Sequence, residues 1–369
     1  MRGLRVAFVV QGEGRGHMTQ ALALASMLRD AGHDVVRVMI GQSVHRPVPA
    51  YFLEGIGAPV LQFEAPVQVP DEDRRGVSVT RTLGDAVRRS PRFFQSAVKI
   101  AENVEDVDIV VNLLDLMAGV SRSLFHSETP AIAIAHNYLF LHPELSDAPG
   151  PKRHRSAILA YARATATRAS RKIALSFSPL PPDPDHGLEV APPLLRPGLD
   201  RLPVRDGGYL LAYALNSGYG TSLIEWQRQS RAEVHCFVEG GASALPRAAP
   251  GFHAHELDAT SFLEQLAGCR AYVGSAGFES LCEAHYLGKP ILAVPTEGQF
   301  EQTLNAWDAQ RCGVARPGSY QDLDDFWNAP SRPDPDDVRR FRAWVDRAPE
   351  MLVDAVERTA RGSSSTRSR

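Results

Sequence analysis

The sequence predicts an α/β protein with parallel sheets in two domains, on three observations. A strand, loop, helix and strand open the chain, a second such unit lies near residue 280, and a proline-rich stretch separates the two. Leu4 to Val10 is a continuous apolar run, the pattern of a strand covered on both faces. It runs into the glycine-rich loop Gln11 to His17. A helix with Ala21, Leu22, Ala25 and Leu28 on its apolar side follows, Gly32 lies just past its end, and Asp34 to Ile40 reads as the next strand.

Further along, Ala58 to Phe63 reads as a strand, and Thr80 to Val104 as helix broken in two by Pro91. Asp108 to Leu114 is a buried strand that ends in Asp115, at the rim where ligands bind in open α/β sheets. A helix cap is the other role for Asp115. Pro130 to Ala135 is another strand, followed on the same rim by a polar loop with His136, Asn137, Tyr138 and His142. Ile173 to Phe177 reads as the last strand of the first half, and Pro179 to Pro203 as linker. In the second half, Tyr209 to Leu215 and Val234 to Val238 are strands, and a small-residue loop with Ser217 and Gly218 follows the first of them. Asp334 to Arg361 is helical with an interruption at Pro349. The domain boundaries are therefore 1–190, linker 191–207, 208–333, closing helices 334–361, and a Ser/Arg tail 362–369 expected to be disordered.

Composition bounds the function. With 369 residues, 44% of them hydrophobic, there is chain enough for two cores. A formal charge of −3, from 40 Lys plus Arg against 43 Asp plus Glu, argues against a general nucleic-acid binder. Cys236, Cys269, Cys282 and Cys312 show no paired spacing, so neither a zinc site nor a disulfide framework is indicated, and free thiols in a reducing cytoplasm fit. Val6 to Val10 is too short for a signal peptide, and no stretch approaches 18 uncharged apolar positions, so the expectation is a soluble or peripheral protein. From Pro151 to Lys172 there are seven Lys or Arg and no acid, which reads as a solvated helix face or as a contact to an anionic membrane or phosphorylated acceptor.

The first glycine loop does not make a dinucleotide site. Its spacing is G-x-G-x-G, the second strand ends at Gly41 and Gln42 without a ribose-binding acid, and there is no Lys-Ser/Thr of a P-loop. It does place His17 at a helix start.

The richest stretch is Val273 to Asn305, read as strand, turn, helix, strand and loop. Gly274 to Gly277 are small, Phe278 to Leu287 carries apolar residues at helical spacing, Gly288 suits the C′ position, and Pro290 follows. Ile291 to Val294 is the strand, and Glu297, Gln299, Glu301, Gln302 and Asn305 fall in the loop. A helix N-terminus opening at such a turn suits a phosphate.

This ordered set, G-x-x-S-x-x-E, then G-K-P, a strand ending in Pro295, and E-Q-x-x-N-A, resembles the donor signature of nucleotide-sugar glycosyltransferases of the GT-B fold, the plant and macrolide transferases and the bacterial lipid II synthase among them. The resemblance implies two Rossmann-like domains facing across a cleft, with the C-terminal helix crossing back to the first. It implies that Gly277 and Ser280 meet pyrophosphate, Glu283 the ribose hydroxyls, Glu301 and Gln302 the donor sugar, and Asn305 the phosphate region. Ser217 and Gly218 match the loop that turns toward the phosphates, and the segment from His255 and Leu257 the one that meets the nucleobase. Ser275 stands where plant members carry His, and Glu279 where they carry Asn. In the first domain the resemblance makes His17 the general base and Asp115 its orienting partner, with Gly14, Arg15, Gly16, His136, Asn137 and Tyr138 toward the acceptor. The reaction implied is inverting transfer from a nucleotide diphosphate sugar, UDP-linked, to a hydroxyl of a small-molecule or lipid acceptor, without metal or cofactor. A GT-B sugar-nucleotide 2-epimerase and a silent sugar-nucleotide binder are the alternatives, separated by whether nucleotide release requires an acceptor.

Overall fold

Two all-parallel sheets carry the chain in a computed structural model that describes residues 2–42, 48–66, 88–214, 217–247 and 250–364. The described residues up to 196, together with those from 344 onward, form one compact unit, and 197–343 form a second. The break at 196/197 lies inside the expected linker.

The first unit holds seven strands: β1 (Arg5–Gln11), β2 (Asp34–Gln42), β3 (Val60–Glu64), β4 (Ile109–Leu113), β5 (Ala131–Ala135), β6 (Arg171–Leu175) and β7 (Leu188–Ala191), in the order β3-β2-β1-β4-β5-β6-β7. Strands buried on both faces read as near-continuous apolar runs, and Val6 to Val10 and all of β4 and β5 are buried, with the hydrogen-bonded Asn112 the one polar residue among them. On one face Ala7, Val9, Met39 and Val110 pack with Ala97, Ile100 and Met117. On β1, β2 and β4 lies the helix Gly16–Asp30, which buries Ala21, Leu24, Ala25 and Leu28. The C-terminal helix Ala348–Ser364 packs on that helix and on β4, β5 and β7, burying Leu352, Ala355 and Val356, so the chain's end returns to the first unit as expected. Trp344 secures the return by donating its indole N–H to the Ser176 carbonyl at 3.0 Å.

The second unit holds β8 (Tyr209–Ala214), β9 (Glu233–Val238), β10 (Phe252–His255), β11 (Ala271–Gly274), β12 (Ile291–Ala293) and β13 (Arg316–Pro317), ordered β10-β9-β8-β11-β12-β13. Its core joins Leu210, Ala212, Val234, Cys236 and Val273 to Leu223, Ile224 and Phe326. In each sheet the strand order reverses once, between β1 and β4 and between β8 and β11. Loops leaving the carboxyl ends at such a reversal turn away from each other and leave a crevice for ligand.

Several expected boundaries are corrected. β7 lies within the stretch read as linker, because a four-residue edge strand among prolines gives almost no periodic signal. Arg88 is helical, Arg89 is a turn, and a new helix, Ser90–Glu102, starts with Pro91 in its first turn, where its missing N–H costs nothing, so the helix divides here as expected, at Arg89. The earlier part of that expected helix lies outside the described residues. Pro349 likewise sits in the first turn of the last helix, and the interruption falls at Asp346 and Arg347. That helix runs on to Ser364, past the start expected for the tail. Residues 300–311 are helix, Phe300–Arg311, not loop, so Glu301, Gln302 and Asn305 stand on a rigid element. Among the described residues no helix is long and apolar enough to cross a membrane.

Gly12 answers a packing need: a Cβ there would overlap the carbonyl oxygen of Gly41 at the end of β2. Gly12→Ala is expected to destabilise the first unit by about 1–3 kcal/mol, the range for overpacking. Urea denaturation measures it, and an unchanged midpoint would show that the two strand ends separate freely.

Candidate active site

In the first unit, β1 and β4 pair with Val10 against Leu113, so the segments after them leave from neighbouring strand ends. After β1 come Gly14, which needs its positive φ of 108°, and Arg15, whose guanidinium lies 5.9 Å from the Tyr51 ring centre. Gly16 opens the helix, which puts His17 in the first turn, half-buried, with Nδ1 3.2 Å from Oε1 of the buried Gln20. A Gln oxygen can only accept, so this contact places the ring proton on Nδ1 and the lone pair on Nε2.

After β4 the chain turns sharply. Leu114 is buried with φ 61°, a left-handed conformation that a branched apolar residue adopts only when its neighbours enforce it. The enforcement is visible: Asn112 accepts from the Asp115 N–H at 2.9 Å and donates to the carbonyls of Asp115 and Thr165 at 3.1 and 2.7 Å. Asp115 then caps the helix Leu116–Phe125, its Oδ1 accepting from the N–H groups of Met117 and Ala118. Its other oxygen, Oδ2, is buried without a hydrogen-bond partner and lies where a Gly41 side chain would be, 2.6 Å from an added Cβ. Burial outweighs the two capping bonds and pushes the carboxyl up to about 7. Gln20 and Asn112 were not singled out in the sequence. The Asn three residues before a strand-end Asp was the signal available.

The acceptor-loop residues sit deeper than expected. His136 to Leu141 is a 3-10 turn, and His136, Asn137 and Tyr138 are all buried. His136 Nδ1 lies 2.8 Å from the Leu175 carbonyl, and the Tyr138 hydroxyl 3.0 Å from Thr165 Oγ1. The polar loop expected there is thus a buried 3-10 turn directly after β5, where the apolar body of Tyr138 fills space and its hydroxyl has a partner. The basic stretch forms the helix Lys152–Thr165, with Lys152, Arg153 and Arg163 exposed.

In the second unit the motif residues gather at the carboxyl ends of β8, β11 and β12, which are adjacent. Ser217 and Gly218 open the helix Ser217–Ser230 after β8. Gly277 precedes the helix Phe278–Tyr286 after β11, and no side chain caps that helix. Ser280 Oγ donates to the Gly277 carbonyl at 3.1 Å. A Cβ on Gly277 would meet nothing nearer than Ser280 Oγ at 3.8 Å, so the protein's own packing does not demand glycine there. Glu283 lies one turn on and is fully buried, so removing it costs stability as well as any ligand contact.

The helix Phe300–Arg311 braces this end. Gln302 accepts from the Thr296 N–H at 2.8 Å and donates to Gln299 Oε1 at 2.5 Å. Asn305 donates to the Ala276 carbonyl at 3.0 Å, while its Oδ1 is buried without a hydrogen-bond partner. Thr296 Oγ1 is in the same position. Tyr219, stacked on Tyr320, accepts from the Glu297 N–H at 3.0 Å. Glu301 is half-buried in the first helical turn. Gly288 ends the helix Phe278–Tyr286 at φ 70°, as its sequence position required. Lys289, beside it, is spent on the carbonyls of Arg205 and Cys269 at 2.7 and 2.8 Å, at the opposite end of β12 from the motif. His255 closes β10 and stacks on Phe237.

Two parallel sheets, each with polar residues placed at its strand-order reversal, define a two-domain α/β transferase of the GT-B class. The family model for glycosyl transferase family 1 matches residues 4–328. The chain belongs to that family and is a glycosyltransferase. Its structure is similar over 98% of its length to all of the Arabidopsis thaliana UGT89C1 complexed with UDP-L-rhamnose, at 13% identity and TM-score 0.62. It is similar over 97% to 98% of the calicheamicin glycosyltransferase CalG4, at 18% identity and TM-score 0.58. It also matches Acinetobacter baumannii MurG, at 14% identity and TM-score 0.53, over 96% of this chain and 99% of that one. No curated protein matches the sequence.

Asp115 makes stability depend on pH in a defined sense. Its folded value of about 7 is above the ordinary 3.8, so the neutral acid is favoured on folding. That contribution is whole below 3.8 and is lost as pH rises through about 7. The stability of the Asp115→Asn variant relative to the parent is therefore expected to increase over this window, by at most about 1.4 kcal/mol per unit of pKa difference. Denaturation series across the window check it; a constant difference would mean that Asp115 ionises freely.

Proposed function

We propose that the protein transfers a sugar, with inversion, from a nucleoside diphosphate sugar, UDP-linked, to a hydroxyl of a small-molecule or lipid acceptor. The observation that carries this reading is the placement of the motif residues: Ser217 and Gly277 flank the reversal in the second sheet, and His17 and Asp115 flank it in the first. Donor binding is assigned to the second unit. The first amides of the helix Phe278–Tyr286, uncapped and preceded by an unneeded glycine, would receive the diphosphate. Glu283 would meet the ribose, and Glu301 and Gln302 the sugar. Asn305 holds the turn before Gly277 through the Ala276 carbonyl, which makes it a positioning residue.

Chemistry is assigned to the first unit. The acceptor oxygen attacks the anomeric carbon, the bond from that carbon to the diphosphate oxygen breaks, and its electron pair leaves with the nucleoside diphosphate. The acceptor proton passes to Nε2 of His17, whose Nδ1 lies against Gln20 Oε1. Asp115 sits beside the loop with an unpartnered oxygen and would steady the imidazolium once it forms. Charge on the leaving group is met by helix amides, so no metal is required in the transfer step.

Two outcomes test the assignment. His17→Ala should lower the transfer rate about 10²- to 10⁴-fold while leaving donor affinity, read by calorimetry, close to that of the parent. Full turnover in this variant removes His17 as base, and lost donor affinity moves phosphate binding to the glycine loop. Turnover should also survive exhaustive chelation; complete loss with recovery on adding magnesium or manganese would assign the leaving group to a metal.

A further inference from the structure

The sequence offered no metal constellation, yet the edge of the second sheet assembles one away from the donor residues. Glu233 and His235 are two apart on β9 and so share a face, and β10 pairs His253 with His235 in parallel register. One carboxylate oxygen of Glu233 and one ring nitrogen each of His235 and His253 lie within 4.8 Å of one another. Glu233 Oε1 is 3.3 Å from His235 Nε2 and 3.7 Å from His253 Nε2. A tetrahedral zinc ion with bonds of 2.0–2.2 Å holds neighbouring ligand atoms roughly 3.3–3.5 Å apart. The two distances from Glu233 are at or near that spacing, and the histidine nitrogens lie within 4.8 Å of each other.

The surroundings orient the ligands. His235 Nδ1 lies 3.0 Å from His255 Nε2, so the ring nitrogen not aimed at Glu233 has its own partner, the arrangement that fixes the tautomer of a metal-bound imidazole. The His235 ring is held by Tyr209 and His255, with centroids 4.5 and 5.1 Å away. Glu233 is level with Tyr209, the first residue of β8, whereas Gly277 follows the last residue of β11, so the cluster lies at the end of the sheet opposite the donor motif.

We propose that Glu233, His235 and His253 form a binding site for a divalent transition metal, zinc by its ligand chemistry, with His255 holding His235 in place and water completing the coordination. The ion would tie the edge strand β10 to β9 and would take no part in sugar transfer.

The full-length chain, stripped with chelator and titrated with zinc chloride, should take up one equivalent that survives gel filtration, and zinc should raise its melting temperature. His253→Ala, at a half-exposed side chain, should fold with the parent's metal-free melting temperature, lose the retained equivalent and lose the zinc-induced shift. His255→Ala should weaken zinc binding about 10- to 100-fold. A parent chain that retains no zinc overturns the proposal. So does a His253→Ala chain that retains as much as the parent, since the metal then sits elsewhere. Should His253→Ala fail to fold, Glu233→Gln supplies the same comparison.

Discussion

The constraint on which the rest depends is the single reversal of strand order in each parallel sheet. A parallel strand must be covered on both faces, and right-handed crossovers running in opposite directions from the reversal put their helices on opposite faces, so only where the order reverses do adjacent loops part. In the first unit that place lies between β1 and β4, in the second between β8 and β11. Residues far apart in sequence, His17 and Asp115 in one unit and Ser217 and Gly277 in the other, become near neighbours in sheet position for this reason alone.

Around each reversal the backbone is held stiffly. Leu114 stays left-handed because Asn112 grips Asp115 from both its N–H and its carbonyl, and the buried carboxylate is then locked as a cap. The cost is an acid whose Oδ2 has no hydrogen-bond partner and whose proton is retained toward neutral pH. Strain and an unsatisfied buried oxygen at one turn are what a site arranged for a reacting group, rather than for stability, would show.

The second unit uses a different device. The turn before the helix Phe278–Tyr286 lacks a side-chain cap, and the bracing comes from behind, where Asn305 holds the Ala276 carbonyl, Gln302 the Thr296 N–H and Tyr219 the Glu297 N–H. The hydrogen bonds converge on the segments 275–277 and 295–299, so a ligand meets backbone already fixed in place. Lys289 shows how a motif residue can be structural: its ammonium ties two carbonyls at the far end of β12.

The sequence by itself determined the α/β class, most strands and the ordered motif from Gly277 to Asn305, because buried parallel strands read as apolar runs and Gly288 and the turn glycines mark helix ends locally, whereas the return of the last helix followed only from the family resemblance. It determined less where signals were short or prolines ambiguous, as at β7 and Pro349. Only the tertiary structure decided which polar groups meet: that Gln20 engages His17, that Asn112 holds Asp115, that Tyr138 is interior, and that His253 stands beside Glu233 and His235. Those relations depend on strand register and on which strands are neighbours, and sequence periodicity carries neither.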